Sequence, residues 1–193
     1  MGGQIEKQEM DQDMLVLVNE ADEQVGIMEK MEAHEKALLH RAFSVFLFDD
    51  AGRMLLQQRS MKKYHSAGLW TNACCSHPYP NEQVMDAAMR RMREELNISA
   101  PITKAFDFIY QAPFDNGLTE HEFDHVFIGQ YNDAIDFNTE EVMAVKYMDM
   151  QDLELALHYE PELYTAWFKI ALPMLQQYLR NNTFSPELAP HEG

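Results

Sequence analysis

The stretch LWTNACCSHPYPNEQVMDAAMRRMREE, from Leu69 to Glu95, guides the interpretation of the rest of this chain. It begins with a Trp and two adjacent cysteines, continues with a His and a Pro, and ends with adjacent arginines and glutamates. Thiol, imidazole and carboxylate groups transfer protons and bind metals, and here they share one predicted strand–loop–helix unit. We therefore expect the functional site to be built around this unit.

Predicted strands and helices flank the unit on both sides. Before it, Met14–Lys30 has the pattern of a hairpin, and the apolar strands Ala42–Phe48 and Arg53–Arg59 are joined by a turn. Within it, an apolar stripe predicts a helix over Glu82–Asn97. After it we expect strands at 102–112, 118–131 and 142–148 and helices at 149–158 and 162–180. This order predicts an α+β or layered α/β/α fold with a mixed sheet.

Composition limits the classes of protein and partner. With 193 residues, 46% of them hydrophobic, the chain is expected to form one domain with a sizeable core. It carries 15 basic and 32 acidic residues, a net charge of −17, which argues against nucleic acid or an anionic membrane as a partner. The simplest interpretation of that charge is a solvated acidic surface. A phosphate-bearing substrate would need positive charge or metal ions concentrated locally.

Two adjacent cysteines, Cys74 and Cys75, are the only ones in the sequence. Neighbouring cysteines rarely bridge to each other, so we expect free thiols and a cytoplasmic location. The polar, acidic N-terminus predicts neither a signal peptide nor a transit peptide. Cys74 is interpreted as a small buried hydrophobe. Strand alternation should turn Cys75 the other way, into a pocket with the acidic residues. A thiol near a cation can have a lowered pKa and act as a base.

A row of acidic residues, Glu120, Glu122 and Asp124, lies on one predicted strand. Residues two apart in a strand point to the same side, so the carboxylates share a face. The row is either an exposed acidic face or part of a cation site. Histidines that could complete such a site are His34, His40 and His77. That donor set would suit Mn²⁺, Zn²⁺ or Mg²⁺.

The helix itself carries Glu82, then Arg90, then the pair Glu94 and Glu95. This spacing resembles the Nudix box, in which a helix holds a divalent cation against a diphosphate; alone, it could equally be a surface helix of ion pairs. The box's usual glycines and one glutamate are replaced by Ser76, Asn97 and Arg91. These departures argue against ordinary Nudix hydrolysis, because fewer carboxylates remain to activate a water.

Several segments together resemble the type I isopentenyl-diphosphate isomerases, a Nudix-fold family. They are LLHRAFSVFLF (38–48), WTNACCSHP (70–78), AAMRRMREEL (87–96), the region 110–122 and Trp167. The resemblance implies a Nudix-like fold with a mixed sheet, a central Nudix helix and C-terminal helices. It also implies an isomerase domain over 14–180, between a flexible segment at 1–13 and a tail at 181–193.

The resemblance further implies a role for each matching residue. The catalytic residues would be Cys75, Glu122, Tyr110 and Trp167. The substrate's diphosphate would be bound by Lys30, Arg59, Lys63 and Arg91. The metal ligands would be His34, His40, His77, Glu120 and Glu122, with Glu95 holding Mg²⁺ on the diphosphate. Without the resemblance, Arg59 and Lys63 could be solvated surface cations and Trp167 an ordinary core residue.

The implied activity interconverts isopentenyl and dimethylallyl diphosphate by acid/base proton transfer in isoprenoid biosynthesis, with a small prenyl diphosphate as the partner. Two alternatives remain open: a Nudix hydrolase of a nucleoside or prenyl diphosphate, and a non-catalytic diphosphate-binding protein. The sequence leaves undetermined the second metal, the oligomeric state, the pathway that supplies the substrate, and whether the N-terminal segment closes over the pocket.

Overall fold

The computed structural model describes residues 13–182, whose strands form one nine-stranded mixed sheet. The strands are β1 (Met14–Val18), β2 (Gln24–Glu29), β3 (His40–Phe48), β4 (Met54–Arg59), β5 (Trp70–Thr71), β6 (Cys74–Ser76), β7 (Ile102–Pro113), β8 (Thr119–Gln130) and β9 (Val142–Met148). The helices are α1 (Lys30–Glu35), α2 (Val84–Leu96), α3 (Met150–Tyr159) and α4 (Ala166–Asn181), with a 3-10 turn at Pro161–Leu163.

Strand β3 is the centre of the sheet. It pairs antiparallel with β1, β4 and β6, and parallel with β8. The pairing aligns Ser44 with Cys75 on β6, and His40 with Glu122 on β8. Most of β3 is apolar and buried, as expected for a strand that is covered on both faces. The register thus brings the cysteine strand and the acidic strand to the two sides of β3.

Helices cover both faces of the sheet and create two cores. On one face, α2 packs in a cluster with Phe43, Val45 and Leu47 of β3. On the other face, α4 packs in a cluster with Phe46 and Phe48 of the same strand. The alternation of β3 side chains between the clusters follows the two-residue period of a strand. The predicted layered arrangement with a mixed sheet is confirmed.

Two helix starts differ from the prediction, and one short helix was not predicted. Helix α2 begins at Val84 rather than Glu82, because the N-cap residue Gln83 is extended (φ −71°, ψ 140°). Helix α4 begins at Ala166, after the 3-10 turn, rather than at Glu162. The short helix α1 was not predicted; the Glu29 carboxylate caps it by accepting hydrogen bonds from the first backbone N–H groups.

The expected terminal segments, 1–13 and 181–193, lie almost entirely outside the described residues, and that division of the chain stays a prediction. Within residues 13–182, no helix is long and apolar enough to cross a membrane.

Strand β8 closely approaches the loop between α2 and β7, and this contact gives a testable prediction at Gly129. A Cβ atom there would lie 2.6 Å from the Pro101 carbonyl oxygen and 3.1 Å from Leu47 Cδ2. We expect Gly129→Ala to lower the free energy of unfolding by about 1–3 kcal/mol, measured by urea denaturation, because backbone must shift. Gly26→Ala is the control, since its nearest contact would be an ordinary 3.8 Å. Equal stability of the two variants would show that the close contact at Gly129 does not limit the size of the side chain.

Candidate active site

One open pocket of about 500 Å³ brings together most of the predicted site residues. Cys75 and Glu122, which the sequence places in separate segments, both line it. The complete lining is Lys30, Arg59, Lys63, Tyr64, His65, Cys75, Ser76, His77, Arg91, Glu95, Tyr110, Glu120, Glu122 and Trp167. The two remaining predicted residues, His34 and His40, are fully buried and belong to a histidine cluster with His77.

The acidic row on β8 is buried. The exposed fractions of Glu120, Glu122 and Asp124 are 3%, 8% and 1%. The alternative of an exposed acidic face is therefore wrong, because neighbouring strands and loops cover the row. Asp124 does not line the pocket; it accepts a hydrogen bond from Ser44 at 2.8 Å, and burial raises its pKa well above the usual value.

Three imidazoles and a carboxylate form a compact cluster under the pocket. One ligand atom from each of His34, His40, His77 and Glu120 lies within 4.8 Å of all the others. The Nδ1 atoms of His34 and His40 lie 2.5 Å and 2.8 Å from the carbonyl oxygens of Lys30 and Leu38. Those carbonyls accept hydrogen bonds from Nδ1–H, so the Nε2 atoms of both rings are directed into the cluster.

This donor set fits a divalent metal. The buried His40 Nε2 has no hydrogen-bond partner in the described part of the chain, and His34 Nε2 lies 2.9 Å from Glu120 Oε2. A lone pair facing a carboxylate oxygen is unfavourable unless a cation or proton lies between them. Burial raises the pKa of Glu120, but contacts with His34, His40 and His65 outweigh it and hold that pKa well below its usual value.

Glu122 joins this cluster to the pocket. Its Oε1 lies 2.8 Å from His77 Nε2, and its Oε2 accepts a hydrogen bond from the Tyr110 hydroxyl at 2.6 Å. Burial and the charge of Glu120 raise the pKa of Glu122, but His40 and His77 overcome both and lower it. Burial also raises the pKa of Tyr110 well above its usual value, so the phenol keeps its proton and donates. The carboxylate is therefore held ionised where it lines the pocket.

The two cysteines point to opposite faces of the sheet, as predicted. Cys74 is fully buried in the core beside α2, which confirms its interpretation as a small hydrophobe. Cys75 lines the pocket. Burial raises the pKa of the Cys75 thiol to about 12, although the Arg59 charge opposes this. The sequence had allowed a lowered pKa; in the described residues burial outweighs the nearby positive charge, and the sulfur keeps its proton.

Four predicted cations line the pocket. Lys63 forms an ion pair with Glu141, and Arg91 forms one with Glu95 at 2.5 Å. Lys30 and Arg59 have no carboxylate partner among residues 13–182. Burial lowers the pKa of Lys30. Because Arg59 is buried, its interpretation as a solvated surface cation is wrong.

The Nudix-like helix contributes one carboxylate to the pocket. Glu95 is buried, and its second oxygen accepts a hydrogen bond from Gln57 at 2.9 Å. Glu82 and Glu94 instead form ion pairs with Arg90, at 2.8 Å and 3.2 Å, and do not line the pocket. The surface ion-pair interpretation therefore holds for Glu82 and Glu94 but not for Glu95.

Trp167 is fixed by hydrogen bonds to the segment that opens the cysteine strand. The indole Nε1 donates to Thr71 Oγ1 at 2.9 Å, and the Thr71 hydroxyl donates to Asn72 Oδ1 at 2.8 Å. Asn72 in turn donates to the carbonyl of Cys74 at 2.8 Å. Trp167 packs in the core and also lines the pocket, with the Arg59 guanidinium 5.1 Å from the ring centroid. Thr71 and Asn72 thus link the indole of Trp167 to the strand that carries the cysteines.

Three lining residues were missed by sequence reasoning, namely Tyr64, His65 and Ser76. Tyr64 and His65 lie in the segment 60–68, which the sequence indicates only as a loop. The signal available there was an adjacent aromatic and imidazole directly after Lys63, which was itself predicted to bind the diphosphate.

Comparisons with known proteins identify the family to which the chain belongs. The chain matches the NUDIX domain family over residues 38–168. It is 46% identical over 161 residues to isopentenyl-diphosphate delta-isomerase 2 of Aromatoleum aromaticum, covering 83% of this chain and 85% of the relative. It is 43% identical over 164 residues to the isopentenyl-diphosphate delta-isomerase of Pectobacterium atrosepticum, covering 85% and 92%. The chain belongs to the isopentenyl-diphosphate delta-isomerases of the Nudix superfamily.

Solved structures place this isomerase in the same fold. DR0079 from Deinococcus radiodurans superposes with a TM-score of 0.64 at 21% identity, over 76% of this chain and 90% of that one. The MutT protein from Methanosarcina mazei superposes with a TM-score of 0.59 at 18% identity, over 75% and 96%. At these identities the comparison shows the Nudix fold alone.

The indole anchor gives a prediction at Thr71. Thr71→Val keeps the shape but removes the acceptor, leaving the Trp167 N–H and the Thr165 hydroxyl buried without a partner. We expect a loss of about 1–3 kcal/mol in the free energy of unfolding, measured by urea denaturation, together with a changed indole emission spectrum. The control is Thr103→Val at an exposed strand position. The same loss in both variants would show that the anchor contributes nothing.

Proposed function

We propose that this protein interconverts isopentenyl diphosphate and dimethylallyl diphosphate, in isoprenoid biosynthesis, with Cys75 and Glu122 as the proton-transferring pair. One observation carries this assignment: a thiol and a carboxylate that is hydrogen-bonded to Tyr110 line the same pocket. Family membership supports the activity, and the geometry supports the residues that perform it.

The reaction moves a double bond by one position. The π electrons of the alkene take a proton from an acid, which forms a C–H bond and leaves positive charge on the tertiary carbon. A base removes a proton from the carbon on the other side, and the electrons of that C–H bond form the new double bond. Cys75 and Glu122 supply the acid and the base, and the reverse reaction exchanges their roles. Substrate and product therefore contain the same atoms.

The surroundings favour the charged intermediate. An unactivated alkene is a weak base, so the acid must be held close to it and away from competing water. The indole face of Trp167 can stabilise developing positive charge by about 1–2 kcal/mol. Arg59 lies 5.1 Å from the same ring, and a diphosphate bound to Arg59 would neutralise its charge.

The diphosphate is the handle by which the substrate is held. We assign its binding to Lys30, Arg59, Lys63 and Arg91, which line the pocket together. Lys30 and Arg59 have no carboxylate partner among the described residues, so both can pair with phosphate oxygens. Glu95 would hold Mg²⁺ against the diphosphate. Binding energy from this non-reacting group positions the alkene between thiol and carboxylate.

A second divalent ion would be held by His34, His40, His77, Glu120 and Glu122, whose nitrogen and oxygen donors suit Mn²⁺, Zn²⁺ or Mg²⁺. When bound, such an ion supplies positive charge that fixes Glu122 and tunes the acidity of its carboxyl group. The orientation of Glu122 is set by residues of the protein itself. His77 and Tyr110 each contact one oxygen of Glu122 and orient it toward the pocket.

Hydrolysis of a diphosphate is less consistent with this site. Of the three helix-associated glutamates, only Glu95 lines the pocket. Cys75 and Trp167 would have no role in the attack of water on phosphorus. A non-catalytic binding protein would need the cations but not the hydrogen bond between Tyr110 and Glu122.

We also propose a cytoplasmic location, supported by two free cysteines in a chain without a disulfide among its described residues. The partner is the small prenyl diphosphate. A net charge of −17 disfavours nucleic acid and anionic membranes, whereas the pocket concentrates cations locally.

The assay that tests the function follows isopentenyl diphosphate with Mg²⁺ and the diamagnetic ion Zn²⁺ in heavy water by ¹H and ³¹P NMR. We expect dimethylallyl diphosphate that carries deuterium from the solvent, with the diphosphate intact. Release of phosphate or pyrophosphate without the allylic product would instead establish a hydrolase. Absence of either product from the folded protein would support the non-catalytic alternative.

The adjacent cysteines provide a matched pair for the same assay. We expect Cys75→Ala to reduce the isomerisation rate at least 1,000-fold, about 4 kcal/mol of barrier, because no other group replaces the thiol. Cys74→Ala should keep the activity and lower stability by about 1–2 kcal/mol, since it removes a buried atom from the core. Equal loss of activity in both variants, with both folded, would refute the assignment of Cys75.

A further inference from the structure

His65 lies between the histidine cluster and the aromatic side chains of Phe114 and Trp167, and its ring is tightly packed. Its side chain is 4% exposed. The ring stacks on Phe114 at 4.7 Å and contacts the edges or faces of Tyr64 and Trp167 at 4.4 Å and 5.7 Å between centroids. With contacts on several sides, the imidazole has little freedom to rotate.

The hydrogen bonding of His65 differs from that of the cluster histidines. In His34 and His40, Nδ1 faces a backbone carbonyl, so Nδ1 carries a proton and Nε2 is the nitrogen that can bind a metal. His65 Nδ1 faces only the Ser66 hydroxyl, at 3.4 Å, which can donate to it. The His65 proton can therefore reside on Nε2, where a metal ligand of the His34 type cannot have one.

The Nε2 atom of His65 lies 2.8 Å from Glu120 Oε1. The other oxygen, Oε2, faces His34 at 2.9 Å and His40 at 3.6 Å. We propose that His65 is a positioning residue: its Nε2–H donates to Glu120 Oε1 and so leaves Oε2 directed at the metal cluster. This inference rests on the metal site proposed above, and no sequence motif indicated the residue.

The arrangement has two consequences for Glu120. With His65 in place, the carboxylate is fixed in one orientation and its two oxygens have separate partners. Without that donor, Oε1 would be left buried and unpaired, and the side chain could turn away from the cluster. Partners that orient a metal ligand typically change metal affinity by about 10–100-fold when they are removed.

His65 also connects the metal cluster to the substrate side of the pocket. Its backbone carbonyl accepts a hydrogen bond from Arg59 Nη2 at 3.4 Å, and its ring contacts Trp167. One residue therefore contacts a proposed metal ligand, the proposed diphosphate ligand and the indole wall.

The test compares Mn²⁺ affinity, by competition with a fluorescent chelator, in two variants of the full-length protein. His65→Phe keeps a ring that can stack on Phe114 but has no donor, and we expect its Mn²⁺ affinity to fall 10–100-fold. His65→Gln offers an amide N–H near the position of Nε2 and should recover most of the affinity. His121→Gln is the control, because His121 lies on β8 beside Glu120 but contacts the Ala37 carbonyl instead.

Wild-type affinity in a folded His65→Phe variant would overturn the inference, as would equal losses in the Phe and Gln variants. Absence of Mn²⁺ binding by the wild type would overturn the metal site together with the inference. The Mn²⁺ affinity measurement does not use isomerase activity, so failure of the proposed reaction would be detected separately.

A second measurement on the unmodified protein does not depend on whether a variant folds. In ¹⁵N–¹H spectra of the imidazoles with the diamagnetic ion Zn²⁺, we expect His65 to show a protonated Nε2 before and after metal addition. The nitrogens of His34, His40 and His77 should shift when Zn²⁺ binds. A metal-induced shift that identifies an unprotonated His65 Nε2 would make it a ligand and overturn the positioning role.

Discussion

The burial of Glu120 and Glu122 among imidazoles is the constraint on which the rest of this structure depends. Two carboxylates within a protein interior repel each other and lose hydration, at a cost of several kcal/mol per ion unless partners replace the water. Here each oxygen has a donor or an imidazole within reach. A strand that carries such a row can be buried only where other elements deliver nitrogen atoms to it. The short helix α1 and the start of β3 deliver His34 and His40 in this way.

The same constraint explains how an acidic protein can bind an anion. Its net charge of −17 would repel a diphosphate at long range, but the carboxylates of the site are buried among imidazoles. Lys30 and Arg59 line the pocket above them without carboxylate partners of their own in the described range. At the separations within a pocket, local charges outweigh distant ones that salt screens over about 8–10 Å. Overall composition therefore gave no guide to the ligand of this site.

Much of the fold and of the candidate site could be predicted from the sequence, but the basis of the prediction differs from residue to residue. The opposite orientations of Cys74 and Cys75 follow from the two-residue period of a strand, and the ion pair between Arg91 and Glu95 follows from helical spacing. The roles of the pocket cations came from a family resemblance, because no local pattern distinguishes Arg59 from a surface arginine. The fold then supplied what spacing cannot, namely that β6 and β8 both lie beside β3.

Among the three pocket residues that sequence reasoning missed, His65 shows most clearly what a sequence cannot predict. His65 follows Tyr64 in a segment without periodicity, and its partner Glu120 lies 55 residues further along the chain. A histidine in a loop is indistinguishable from a solvated one until the loop is folded against Phe114 and Trp167. The ring is then both a packing surface and a hydrogen-bond donor, and these two properties depend on each other. Only a ring fixed by packing can hold Nε2 in one direction. The packing of His65 against Phe114 and Trp167 therefore also orients the carboxylate of Glu120.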